Sequence, residues 1–285
     1  MLVIVGMPAI SYADDTNFGS RFIRAVDVNG TNWGTPVQVA TGAFAVSDST
    51  SLAIVDGKPA IAFQRNNVKY ARATDPVGTA WSTFVPVSST NTRDSINLLM
   101  LGDRPIVISR DPDIEVSRAN DPVGDSWPAT SSRIDGSNRP VSAAIVGGRA
   151  AIAYTTGTDQ LAFRRAANDE GTVWGPPIIV DSDQLSNFQP SLAVVSGKPA
   201  ISYVIGSDLM FIGADDADGQ NWTAQPRLVA AGASATGQTK LVVIAGLPAA
   251  AFSKFPGANR QLWYVSAQDA QGSVWKTPQK VDSTG

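Results

Sequence analysis

Apolar residues along this chain fall in short runs bounded by glycine, proline, aspartate and asparagine, and none keeps the 3.6-residue period of a helix. Residues 51–87, SLAIVDGKPAIAFQRNNVKYARATDPVGTAWSTFVPV, show the pattern most clearly. They predict strands over 51–55, 59–63, 68–73 and from Trp81 to Val87. Asp56-Gly57 is a two-residue hairpin signal between the first pair. In 59–63 the alanines and the larger apolar residues alternate, so both faces of that strand are apolar and call for packing on both sides.

The same arrangement recurs six times. Segments like GKPAIAF are anchored at Pro8, Pro59, Pro105, Ala150, Pro199 and Pro248, and each is followed by a tryptophan: Trp33, Trp81, Trp127, Trp174, Trp222 and Trp275, roughly 46–53 residues apart. The units cover about 1–39, 51–87, 97–134, 142–180, 191–229 and 240–281. Four short strands per unit predict an all-β, six-bladed β-propeller with four antiparallel strands per blade, formed by 1–285 as one domain. Two three-unit sandwiches or an open solenoid would use the same meanders. A solenoid needs polar capping units. Here the first unit is as apolar as the rest, which favours a closed ring.

Between the third and fourth strands runs a second shared motif: AVDVNGTNW, ATDPVGTAW, ANDPVGDSW, AANDEGTVW, ADDADGQNW and AQDAQGSVW. Its fixed polar position is Asp27, Asp75, Asp121, Asn168, Asp216 and Asp269. A short carboxylate or amide there can accept from backbone N–H groups further along and hold the turn. The glycine supplies a positive φ, and the tryptophan is expected to pack across the outer part of the blade. Asn168 can do this work uncharged, so the motif reads as structural. This turn resembles the Asp-box, or BNR repeat, of sialidase-like propellers, but with alanine in the first position and one extra residue between aspartate and glycine. The resemblance implies a propeller whose aspartates and tryptophans serve structure, opposite the active-site face. The units as wholes also resemble repeat propellers of bacterial surface and secreted proteins. The sialidase Phe/Tyr-Arg-Ile-Pro motif is absent, and the only glutamates are Glu115 and Glu170.

Composition narrows the chemistry. Histidine and cysteine are both absent from the 285 residues, which excludes imidazole catalysis, thiolate nucleophiles and disulfides. The net charge of -3, with 16% charged residues, gives no nucleic-acid footprint. No apolar stretch reaches about 18 residues, so membrane insertion is not expected. The aspartates of ADDADG (Asp215, Asp216, Asp218) and of RDPD (Asp111, Asp113) lack the length and terminal glutamate of a calcium loop and read as turns. No metal and no cofactor is expected. The opening MLVIVGMPAISY has no basic flank or cleavage site, and its start inside a repeat suggests a mature fragment or excised domain, extracellular or at a cell surface, monomeric or part of a larger chain.

One repeat position just before the turn motif holds Arg24, Arg72, Arg118 and Arg165, then Gly213 and Ser266. Arginines recurring by repeat are expected to pack on a neighbouring blade or bond loop carbonyls. The loops from second to third strand, and from blade to blade, vary in length and chemistry, and variable loops on a rigid scaffold suit recognition. Phe18, Arg110, Phe188 and Arg260 are the candidate rim of one composite site there, rings giving desolvated contact and guanidinium groups giving directional donors. The expected function is non-catalytic recognition or scaffolding of a protein partner or in adhesion. A lectin-like, carbohydrate-binding propeller is the alternative, and a glycoside-processing enzyme comes third.

Overall fold

Residues Ala60 to Phe63 lie in the second strand of their blade and are 0–1% exposed, so the alternating alanines and larger side chains do bury both faces. Full burial of such an Ile or Phe contributes about 1.5–3 kcal/mol. The computed structural model describes residues 1–14, 19–41, 49–87, 94–110, 112–137, 139–183, 190–233, 239–254 and 259–281.

The chain is an all-β, six-bladed propeller with four antiparallel strands in each blade. Blade 1 comprises β1 (Leu2–Ile4), β2 (Met7–Asp14), β3 (Gly19–Arg24) and β4 (Val37–Thr41). Blade 2 has β5 (Thr50–Val55), β6 (Lys58–Arg65), β7 (Asn67–Arg72) and β8 (Val85–Pro86). Blade 3 has β9 (Asp94–Leu101), β10 (Arg104–Arg110), β11 (Asp113–Arg118) and β12 (Ser132–Gly136). Blade 4 has β13 (Val141–Val146), β14 (Arg149–Thr155), β15 (Leu161–Arg165) and β16 (Ile178–Asp181). Blade 5 has β17 (Ser191–Val195), β18 (Lys198–Ile205), β19 (Asp208–Gly213) and β20 (Arg227–Ala230). Blade 6 has β21 (Thr239–Ile244), β22 (Leu247–Lys254), β23 (Gln261–Ser266) and β24 (Gln279–Lys280). Two compact units divide the chain at Asp135/Gly136.

The hairpins between first and second strands are tight two-residue turns; in blade 3 Gly102 (60°) alone is at positive φ, and in the other five both central residues are, such as Asp56 (47°) with Gly57 (71°) and Ser196 (50°) with Gly197 (80°). This is the twist-matched hairpin geometry.

The fourth strand differs from expectation. Trp81 makes a single bridge to Ala73, and β8 covers only Val85–Pro86. After the bridge, Ser82 N donates to Arg72 O at 2.9 Å, and the chain then leaves the ladder until Val85. Prolines at 36, 86, 128, 176, 226 and 278 in this stretch remove ladder donors.

Neighbouring blades within each unit are joined by two repeated devices. Leu98 N, Leu192 N and Leu241 N each donate to a serine of the preceding blade's first strand or its start, Ser51, Ser142 and Ser191, at 2.9–3.0 Å. The second device is aromatic. The motif tryptophan lies against the third-strand aromatic of the preceding blade: Trp81 on Phe22, Trp127 on Tyr70, Trp222 on Phe163 and Trp275 on Phe211, with ring centroids 5.2–5.4 Å apart. The tryptophan is thus a blade-to-blade contact rather than an outer cover for its own blade.

Candidate ligand pocket between the fifth and sixth blades

The turn motif is built around its acidic residue. Asp75 accepts from the N–H groups of Val77, Thr79 and Ala80 and from Thr79 Oγ1, all within 2.9–3.2 Å. Asp27, Asp121, Asp216 and Asp269 repeat the pattern. Asn168 Oδ1 accepts from Thr172 N and Val173 N at 3.0 Å, and its amide donates to Thr172 Oγ1. The bond from Thr31 N, with others, holds the Asp27 carboxyl down at about 2. At Asp75 partial burial pushes upward, but the bonds from Thr79, Ala80 and Val77 outweigh it and bring the value to about 2. Trp81, Trp127, Trp174, Trp222 and Trp275 each donate Nε1–H to the carbonyl of the motif glycine at 2.8–3.1 Å. Trp33 bridges Ala25 and is 37% exposed. These carboxylates are saturated by their own turns, and among the described residues no group of three acidic side chains could hold a metal ion.

The repeat arginines lie on the same end of each blade. Arg24 Nε donates to Ile4 O at 2.9 Å and Nη2 to Val5 O at 3.1 Å. Arg72 reaches Val55 O at 3.0 Å and Asp56 O at 3.2 Å, and pairs with the Asp56 carboxylate. Arg165 reaches Val146 O at 2.9 Å and Gly147 O at 3.0 Å, and pairs at 3.0 Å with Asp218 of the next blade. Arg118 pairs with Asp103 at 3.6 Å. Each guanidinium therefore plugs the gap beside its own first hairpin, and the side chains of Arg72 and Arg165 are only 13% and 11% exposed.

In blade 5 the plug is missing. Gly213 occupies the arginine position, and a Cβ built on it meets nothing within 4 Å. A cavity of about 280 Å³ lies here, lined by Ser196, Lys198, Gly213, Asp215, Arg227 and Gln271 over an apolar floor that includes Phe211 and Pro199. Ser196 Oγ donates across it to Ala270 O of blade 6 at 2.7 Å. Lys198 Nζ donates to Asp215 O at 2.6 Å. Asp215 Oδ2 accepts from Thr223 N and Oγ1 at 2.7 and 2.8 Å, bonds that hold its carboxyl below the usual range. Arg227 Nη1 donates to Ser273 O at 3.4 Å. The cavity thus offers fixed carbonyls, two cationic groups, one carboxylate, two amides and an apolar floor.

This pocket is on the tight-turn end of the blades, whereas the sequence pointed to the variable loops. Phe18 and Phe188 lie outside the described residues, as do most of loops 40–50, 88–94 and 182–188. Arg110 ends β10 and is 9% exposed, and Arg260 is exposed just before β23. The two arginines belong to different compact units. Arg227, Gln271, Ser196 and Lys198 were not singled out as a site. The break in the arginine repeat at Gly213 is the sequence signal that could have found them.

No family model and no curated protein matches the chain. Solved structures do match. The BP39L lectin from Burkholderia pseudomallei aligns with a TM-score of 0.70 at 12% identity, covering 93% of this chain and 78% of that one. The fucose-specific lectin from Aleuria aurantia aligns at 0.52 with 13% identity, covering 84% and 80%. An α-L-arabinofuranosidase from Clostridium thermocellum aligns at 0.51 with 8% identity, covering 82% and 94%. At these identities the likeness establishes the propeller fold.

Proposed function

We propose that the chain is a non-catalytic glycan-recognition module whose binding site is the pocket between blades 5 and 6. The observation that carries this reading is the pocket itself: an apolar floor edged by carbonyls, hydroxyl, amide and cationic groups held by ladder and turn. Such a lining suits a sugar ring, one face apolar and the perimeter hydrogen-bonding. The propeller lectins that share the fold support the same class of ligand. Glycoside hydrolysis uses two carboxyl groups flanking the bond. Asp215 is the pocket's lone carboxylate, and Oδ2 is engaged by Thr223. Glu115 accepts from Ser131 Oγ on blade 3 and Glu170 lies in a turn of blade 4, and neither is among the residues that line this pocket. A glycan ligand fits an extracellular or cell-surface setting.

A glycan array probed with the wild-type chain and with Gly213→Arg tests the proposal. The variant restores the repeat arginine and fills the pocket. The wild type is expected to bind a defined set of glycans, and the variant to lose them while melting at the same or a higher temperature. A silent array, equal binding by both chains, or turnover of aryl glycosides would contradict it.

A further inference from the structure

We infer that the pocket takes an anionic sugar, specifically a hexuronic acid residue; this deepens the glycan reading and rests on it. The blades with an arginine show what each part of the pocket contributes. In blades 1, 2 and 4, the carbonyls of Ile4 and Val5, Val55 and Asp56, and Val146 and Gly147 accept from the guanidinium. The corresponding hairpin residues of blade 5 are Val195 and Ser196, and they face a cavity at Gly213. This end of the pocket therefore calls for hydrogen-bond donors, which sugar hydroxyls supply.

A guanidinium from elsewhere would also donate, but the charges argue against it. Three of the four repeat arginines, Arg72, Arg118 and Arg165, have a counter-charge: Asp56 and Asp103 in the hairpins, and Asp218 in the next blade's turn. Blade 5 has Ser196 at the hairpin position, and blade 6 has Gln271 in place of Asp218. Cation and counter-anion are lost together.

A positive group has instead been added at the other wall. The residue paired with the third-strand aromatic is Val37 opposite Phe22, Val85 opposite Tyr70 and Ile178 opposite Phe163. Opposite Phe211 it is Arg227. Arg227 is exposed, lines the cavity, and among the described residues has only the long 3.4 Å bond to Ser273 O. With Lys198 it gives the lining two cations against the one carboxylate of Asp215. A guanidinium fork matches a carboxylate in bidentate geometry. The ligand that answers both walls carries hydroxyls at one end and a carboxylate at the other.

Isothermal titration of the intact chain decides this, using methyl β-D-glucuronide, methyl β-D-glucoside, methyl β-D-glucoside 6-sulfate and methylguanidinium as probes. The glucuronide is expected to bind at least about ten-fold more tightly than the glucoside, with the preference shrinking in high salt. Arg227→Gln, an exposed substitution, should bring the two sugars together, and Gly213→Arg should remove both. Equal binding of glucuronide and glucoside, lost in Gly213→Arg, would overturn the acidic assignment and leave the glycan reading standing. Tighter binding of the sulfate would replace the carboxylate. Binding of methylguanidinium without any sugar would overturn both readings.

Discussion

Asp75 fixes its turn by gathering three backbone N–H groups and one hydroxyl onto a single carboxylate. Removing it strands donors that are partly solvated, so Asp75→Ala should cost about 1–2 kcal/mol, read from urea midpoints at pH 7. Asp75→Asn should cost less, since Asn168 holds the equivalent turn as an amide. The two also differ in acid. Folded Asp27 and Asp75 titrate at about 2 against 3.8 for the free side chain, so their contribution is complete above about pH 4 and lost as pH falls through about 2. Asp121, Asp216 and Asp269 are shifted in the same direction. The urea midpoint should fall between pH 4 and 2, and Asp75→Asn should fall less steeply than wild type. At Gly124 a Cβ would sit 2.7 Å from the Tyr70 ring at a φ of +81°. Gly124→Ala should destabilise by about 1–3 kcal/mol in thermal melts. The sequence showed that glycine as a positive-φ residue. It did not show the ring of the preceding blade against it, because that contact links residues more than 50 positions apart.

Strands are held by ladders within each blade and by side chains from one blade to the next. Ser142 and Ser191 present Oγ to the first strand of the next blade, where Leu192 N and Leu241 N would otherwise be unpaired on that edge. Ser191→Ala should therefore speed amide exchange at Leu241 more than at Leu192, in a hydrogen-exchange comparison of the two proteins. An equal effect at both amides would mean that the serine is not the edge partner. Three of the four strands in blade 2 were legible, since hairpin chemistry and alternation mark β5, β6 and β7. The fourth was drawn too long. Its prolines and the bridge at the tryptophan break the ladder in a stretch whose apolar residues still read as a strand. The tryptophan's partner was also misplaced, because a motif read within one unit hides the aromatic supplied by the unit before it.

For the molecule as a whole, the repeat made the fold readable, and a break in the repeat marks the pocket proposed as the site. Six copies of one unit define what each position ordinarily holds, so Gly213 stands out against Arg24, Arg72, Arg118 and Arg165. The sequence reading placed recognition on the variable loops because diversity was visible there. The cavity instead forms where a conserved-looking turn meets a missing side chain, and its volume depends on how blades 5 and 6 pack, which no single segment encodes. The sequence ranks protein interaction above glycan binding, and the lining of the pocket is the ground on which the glycan alternative is proposed. The most direct measurement is amide chemical-shift mapping during titration with methyl β-D-glucuronide. Shifts should concentrate at Ser196, Gly213, Asp215, Arg227 and Gln271 and vanish in Gly213→Arg. Shifts centred instead on Arg110 or Arg260, with these residues unmoved, would contradict the pocket as the recognition site.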